Sequence, residues 1–462
     1  MAVATAEPYR AGSAKQLFVD DRLIAESRGI RLALNPPVKM PERCLWAERP
    51  WEDFYAGGWN TVLEDGGVYK LWYEASTLLD GRHSQSVCYA ASHDGIRWEK
   101  PTLGLVEFRG SKENNIVLFD IAGTVFVDPR APESERYRFA GRADWARPIY
   151  SRTTPEVGIW IFGSPDGLRW KPLREGPVIR DRGNFDTQNQ VFWDARLGKY
   201  VAYVRLNRPL RKVGRAESLD LLHWTTPEVV FSYDALDPVE SDHYNPCVVP
   251  YPGAPDVYLM FPSAFYHYPG RPMDGYLDIQ LATSRDGIRW ERRFRTPYVR
   301  LGLEGSDDGG SIYMTVGMLR RGDEIWMYYT GFDYTHGAYD LARTRKKGVV
   351  RRLVQRLDGF ISVDAGGGGG ELTTVPLLFD GNTLELNVDT GALGSARVAV
   401  LDASGREVAG FGAADCDPIR GNFTRRAVTW KRDAALAALA QPVRLRFVLE
   451  RAKLYAFQFR VR

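Results

Sequence analysis

One short phrase recurs four times along the chain and constrains the fold more than any other feature. Ser92-His93-Asp94-Gly95-Ile96-Arg97-Trp98 returns as Ser164-Pro165-Asp166-Gly167-Leu168-Arg169-Trp170. It returns again as Ser218-Leu219-Asp220-Leu221-Leu222-His223-Trp224, and as Ser284-Arg285-Asp286-Gly287-Ile288-Arg289-Trp290. An Asp-Gly pair suits a tight turn with positive φ, and a Trp three residues later can fold back over a sheet. Self-similar units of about 55–70 residues, rich in aromatic and β-branched residues, predict radially repeated four-stranded sheets.

A second repeat runs in phase with the first. A turn followed by an apolar, aromatic strand occurs in Gly67-Val68-Tyr69-Lys70-Leu71-Trp72-Tyr73 and in Glu135-Arg136-Tyr137-Arg138-Phe139-Ala140. It recurs in Gly198-Lys199-Tyr200-Val201-Ala202-Tyr203, in Asp256-Val257-Tyr258-Leu259-Met260-Phe261 and in Asp323-Glu324-Ile325-Trp326-Met327-Tyr328-Tyr329. Five such strands predict an all-β chain built on a five-bladed β-propeller over residues 40–363. The last unit replaces the Trp phrase with Leu357-Asp358-Gly359-Phe360-Ile361, as a terminal repeat does. The segment 1–39 is read as N-terminal, with Lys15 to Ile24 able to supply a ring-closing strand. Gly366 to Gly370 marks a flexible linker over 364–371. Beyond it, period-two alternation in Leu384–Asp389, Ala396–Leu401, Val443–Leu449 and Lys453–Phe459 predicts a C-terminal β-sandwich over 372–462. Ala434 to Leu439 is a short helix candidate.

Composition removes several function classes. A formal charge of +3 over 462 residues gives no reason to expect a nucleic-acid or membrane partner. No apolar run approaches a membrane span. Met1 to Glu7 lacks the basic start and apolar core of a signal peptide, so the sequence as it stands predicts a cytoplasmic protein, secreted or periplasmic if a leader has been removed. Cys44, Cys88, Cys247 and Cys416 are too scattered for a metal site. The pattern does not specify an oligomeric state.

Chemistry is expected where inner strands begin, because their side chains converge on one mouth of the central channel. Asp120 precedes Asp128 by the spacing that separates Asp186 from Asp194 and Asp242 from Pro250. Each is therefore expected to bring a carboxylate to the mouth, with Asp128 and Asp194 in the far hairpins. The first unit has Ala56-Gly57-Gly58 there, with Glu52 and Asp53 just upstream, and the fifth offers Glu304. Converging carboxylates shift one another's pKa values, the division of labour that glycosidic-bond cleavage requires. Trp51, Trp59, Asn60, Gln188, Asn189, His243, Tyr244 and His336 are the expected sugar-binding side chains. Tyr55, Tyr266, Tyr268 and Tyr334 lie in the same loops. No cofactor is required, although a carboxylate-lined channel could hold a hydrated Ca²⁺.

In its five units, acids at inner-strand starts and C-terminal sandwich, the chain resembles the five-bladed propeller glycoside hydrolases of families 32 and 43 and their relatives. The resemblance implies hydrolysis of an oligo- or polysaccharide, a furanoside first, with carboxylates as acid, base or nucleophile, and modulator. By that resemblance Asp186 matches the middle-blade Asp, Asp53 or Glu52 the first-blade acid, and Glu240 or Glu304 the acid Glu. The Asn-Asp-Pro-Asn, Arg-Asp-Pro and Glu-Cys signatures of family 32 are absent. The Trp phrase also resembles the sialidase Asp-box, one residue shorter. Two alternatives stay open: a non-catalytic carbohydrate-binding propeller, and a glycoside phosphorylase using Arg142, Arg205 and Arg208 for phosphate.

Overall fold

The computed structural model describes residues 7–79, 82–143, 157–180, 185–207, 210–338, 348–431 and 436–461. Its four Trp phrases close as one kind of turn. Asp94 Oδ1 accepts from the N–H groups of Ile96 and Arg97 (both 2.8 Å), while Ser92 Oγ accepts from Gly95 N at 2.9 Å. Asp166, Asp220 and Asp286 repeat the pattern with Ser164, Ser218 and Ser284. The Asp and Ser thus satisfy backbone donors that no strand partner reaches, which is why the phrase is kept whole.

Each phrase follows the third strand of an antiparallel sheet. In the first sheet Thr61–Asp65, Val68–Leu79 and Arg82–Ser92 pair in order, joined by Tyr55–Ala56 and Ile116–Phe119. The second holds Ile121–Val127, Tyr137–Ala143, Gly158–Ser164 and Lys171–Pro172; the third Gln190–Asp194, Lys199–Asn207, Arg211–Ser218 and Glu228–Phe231. The fourth holds Val248–Pro250, Tyr258–Met260, Ala282–Ser284 and Trp290–Glu291. In the fifth, Ser311–Met314, Glu324–Phe332 and Val349–Arg356 are completed by Val38–Trp46. That N-terminal strand, and not Lys15 to Ile24, closes the last sheet. Gln16–Leu17 pairs instead with Ala452–Arg460. Lys39–Asp308 (2.7 Å), Arg43–Asp307 (2.6 Å) and Arg352–Glu42 ion pairs hold it in place.

The first strands of the five sheets are stitched in a cycle, four links by polar side chains at one repeated position and the fifth by a backbone bond. Thr61 Oγ1 accepts from Val125 N at 3.1 Å, and Thr124 Oγ1 donates to Asn189 O at 3.0 Å. Gln190 donates to Val248 O (2.5 Å) and accepts from Val248 N (2.8 Å). Cys247 Sγ donates to Thr315 O at 3.6 Å, and Val316 N returns to Asn60 O at 2.9 Å. A second belt runs further out: Tyr137 donates to Asp65, Tyr200 to Asp128 at 3.0 Å, and Tyr258 to Asp194 at 2.6 Å. Asp128 and Asp194 are therefore hairpin acids that tie one sheet to the next.

A third belt explains the one irregular phrase. Trp72 Nε1 donates to Gly167 O (2.7 Å), Tyr203 OH to Gly287 O (2.6 Å) and Tyr328 OH to Gly95 O (2.6 Å), each reaching from a neighbouring sheet. A Cβ at Gly167 would lie 2.5 Å from Trp72 Cζ2. The residue equivalent to Trp72, Tyr203 and Tyr328 in the second sheet is Ala140, and the phrase in the third sheet carries Leu221 in place of glycine. Leu221 and Ala140 share one core. Leucine accepts a φ of 67° there, at a cost of about 1–2 kcal/mol, because its side chain fills what the small alanine leaves.

Ser241–His243, Ser263–Tyr268 and Arg271–Ile279 extend the fifth sheet, and Tyr9–Gly12 pairs with Leu377–Phe379. Most of the remaining strands form two sheets around one apolar core that includes Phe18, Leu386, Val398, Phe447 and Phe457. Gly366 to Gly370 is no free linker: Ile361–Ala365 pairs with Ala452–Arg460, Gly369 N donates to Gly366 O, and Gly370 opens the strand Gly370–Thr374. Ile361–Ala365 and the N-terminal strands Ile24–Arg28 and Ile30–Leu34 also belong to these sheets. The helix expected at 434–439 is a single 3-10 turn, Leu436–Ala438; residues 434 and 435 lie outside the described residues. No described helix is long and apolar enough to cross a membrane.

Candidate active site

Four residues before the bridging positions stand Gly57, Asp120, Asp186, His243 and Ser311. All but His243 line one cavity of about 570 Å³. Its aromatic wall comprises Phe54, Tyr55, Trp59, Tyr244, Tyr313, Phe332 and Tyr334; Glu74, Ser76, Gln85, Arg142 and His336 add polar groups. Apolar faces with a few convergent polar groups are what a sugar ring, hydroxylated at its rim and C–H on its faces, requires.

Glu74 is the residue that sequence reasoning missed. It lies mid-strand after the apolar run Leu71-Trp72-Tyr73 and is buried. Tyr55 OH (2.5 Å) and Gln85 Nε2 (2.6 Å) donate to its Oε1, and Trp59 N reaches Oε2 at 3.3 Å. Burial pushes its carboxyl up to about 7, the nearby Asp186 adding to the rise against these donors. Gly58 makes room, since a Cβ there would stand 2.7 Å from Glu74 Oε2. A carboxyl at the fifth residue after the strand's first Tyr was the available signal; the same position holds Arg142 and Arg205 in the next two sheets.

Asp120 and Asp186 both face the cavity. Asp120 adopts a φ of 54°, which Asp tolerates better than most residues. Its N–H donates to Gln85 O, and Ser84 Oγ donates to its carboxylate. The Asp186 side chain is 45 % exposed and lies 3.7 Å from Arg205 Nη2, whose guanidinium also sits 5.3 Å over the Tyr244 ring. Tyr313 OH and His336 Nδ1 are 2.5 Å apart, and burial pushes His336 down to about 3, so its ring is neutral across the ordinary pH range.

The other expected acids stand elsewhere. Asp242 is buried, held by Arg211 Nη1 at 2.9 Å with His267 Nε2 at 3.5 Å. The register explains this: Pro250 pairs with Tyr258 as Val127 pairs with Tyr137 and Trp193 with Tyr200. Its match to Asp128 and Asp194 is thus one residue out, and one residue turns a strand side chain to the other face. Glu52 is enclosed: it accepts from Tyr73 OH (2.6 Å), Lys100 (2.9 Å) and the N–H groups of Glu48 and Arg49. Asp53 lies half-open beside Arg109 at 3.6 Å, while Glu240 and Glu304 are exposed; none of the three is among the described lining residues.

Of the expected sugar-binding side chains, Trp59, Tyr244 and His336 line the cavity. Trp51 is packing, donating to Asn115 Oδ1 at 2.9 Å. Asn60, Gln188 and Asn189 are buried braces beneath the cavity: Asn60 donates to Thr330 (2.9 Å), Gln188 to Asn60 O (3.1 Å), and Asn189 to Phe185 O and Thr187 O. None of the three is among the described lining residues; they hold the framework that the acids stand on. His243 stacks 4.7 Å from Phe231, and burial pushes it down to about 3. Arg208 lies outside the described residues. Among the described residues, no group of three or more His, Cys, Asp or Glu could hold a metal ion.

No protein-family model matches the sequence, and no curated protein matches it. Solved structures similar to the chain include an N-acetylgalactosamine deacetylase from F. plautii bound to blood group B trisaccharide. It is 15% identical at a TM-score of 0.48, over 71% of this chain and 96% of that one. A glycoside hydrolase is 15% identical at 0.47, over 69% and 92%. A family 43 arabinoxylan arabinofuranohydrolase from Bacillus subtilis is 11% identical at 0.40, over 89% and 96%. The structures to which this chain is similar thus include glycoside hydrolases, at identities that leave the chemistry to be read from the side chains themselves.

Proposed function

We propose that the chain is a glycoside hydrolase whose five ringed sheets act as the blades of a propeller, with the two-sheet unit as a β-sandwich beside it. The observation that carries this reading is the split environment of two carboxyls in one aromatic-walled cavity. Glu74, raised to about 7 by burial, holds its proton in about half of the molecules at neutral pH; Asp186 is open to solvent and faces a guanidinium. Environments that push two acids apart assign their roles. Glu74 gives its proton to the departing glycosidic oxygen as the bond to the anomeric carbon breaks. With Oε1 engaged by Tyr55 and Gln85, Oε2 is the oxygen that presents it. Asp186 places negative charge against the oxocarbenium-like carbon, and water supplies the hydroxyl and the proton that restores Glu74. Asp120, fixed by Ser84, adds a third carboxylate beside the site.

A screen of aryl furanosides and pyranosides, followed by natural oligosaccharides, tests the reading. Release of sugar that depends on both Glu74 and Asp186 supports it. Sugar binding without any bond cleavage would favour the carbohydrate-binding alternative.

A further inference from the structure

Arg142 is a charged residue of the cavity that the acid chemistry does not use. It occupies in the second sheet the place of Arg205 in the third, five residues beyond Tyr137 and Tyr200 respectively. Arg205 has its acid, Asp186, at the start of its own sheet's first strand. The corresponding acid for Arg142 is Asp120, and the two make no ion pair: the left-handed backbone of Asp120 turns its carboxylate toward Ser84 of the first sheet. Among the described residues no carboxylate lies within ion-pair distance of Arg142, and its buried Nε has no hydrogen-bond partner. A half-buried guanidinium lining a cavity and lacking its acid is a fork of donors matched to an oxyanion.

We propose that Arg142 binds an oxyanion of the ligand, most directly the carboxylate of an acidic sugar, so that the substrate is an anionic glycan. This rests on the glycoside hydrolase reading and narrows its substrate class. The same fork would hold free phosphate, and the experiment separates the two sources.

Binding is measured by calorimetry at pH 7, without turnover, on full-length protein and on Arg142→Gln and Arg142→Lys. The probes are uronic-acid oligosaccharides (glucuronate- and galacturonate-containing), their carboxyl-reduced counterparts, and inorganic phosphate. A charge-assisted pair in a partly desolvated cavity predicts at least about tenfold tighter binding of the acidic form. Arg142→Gln abolishes that preference and Arg142→Lys keeps part of it, with unchanged thermal midpoints. Phosphate binding lost in Arg142→Gln, without any uronate preference, assigns the oxyanion to phosphate and refutes the acidic-glycan substrate. Equal binding of acidic and reduced sugars with no phosphate binding overturns the oxyanion site and leaves the hydrolase reading standing. A uronate preference that survives in Arg142→Gln overturns the assignment to this residue. Failure of every sugar to bind, in either form, overturns both.

Discussion

Replacing Glu74 with Gln tests the acid at its physical root, because it removes the titration and keeps the shape. The glutamine oxygen can still accept from Tyr55 and Gln85; only the weak 3.3 Å contact from Trp59 N is lost. In the unfolded chain the carboxyl titrates near its ordinary 4.5, and in the fold near 7. Between those values the native state holds a proton that the unfolded state releases, so stability falls as pH rises. Each pH unit is worth about 1.4 kcal/mol, so the wild type should lose about 3 kcal/mol across the window from 4.5 to 7 that Glu74→Gln does not. Below pH 4.5 the two proteins differ only by a constant. Urea denaturation of both at pH 4.5, 6 and 8 measures the difference directly, and subtraction removes Asp278, whose carboxyl burial also pushes up to about 7. Parallel curves would refute the claim that Glu74 is held protonated, and with it the acid role. Diverging curves with normal turnover in the variant would keep the titration and refute only the catalysis.

Asp186→Asn should lower kcat/KM by at least about a hundredfold with an unchanged thermal midpoint, since the side chain is 45 % exposed; near-normal turnover would remove it from the chemistry. Gly167→Ala forces a left-handed alanine against Trp72 and should cost about 3 kcal/mol, read as a shift in the urea midpoint. Gln190→Leu strips both partners from the Val248 peptide and should cost about 2–4 kcal/mol; a neutral result would mean that the cycle of inner-strand bonds contributes little to holding the sheets together.

The fold was legible because repetition states the same physics several times. The Ser-x-Asp phrases announce their turns, and the Tyr-bearing strands that follow tight hairpins announce second strands, so an all-β ring could be drawn from spacing alone. Asp120 and Asp186 came from the same spacing. Asp242 failed because it was counted from Pro250, whose counterparts are Val127 and Trp193 and not the acids that follow them. The fourth sheet carries Tyr251 where the first three carry a hairpin acid, so nothing in the sequence marked the end of the strand. Glu52 misled because a buried glutamate that accepts four hydrogen bonds looks in sequence like any acid upstream of a pocket. Glu74 was hidden for the opposite reason: a charged residue inside an apolar strand reads as an exposed position until three dimensions show its far side facing a cavity. The ring-closing strand was misplaced because Lys15 to Ile24 and Val38–Trp46 are both plausible strands, and only pairing over the whole chain tells them apart.

Closure of the fifth sheet by Val38–Trp46 sets an order of events during synthesis. Its partner, Val349–Arg356, follows by roughly 300 residues, which at ribosomal speeds is about 15–60 s of waiting. A strand with open backbone groups is a template for wrong pairing throughout such a delay. Lys39, Glu42 and Arg43 counter this, since charges along an exposed strand discourage other chains from adding to it. The same three residues later meet Asp308, Arg352 and Asp307. The charges that keep the nascent strand solitary thus become its latch when the right partner arrives.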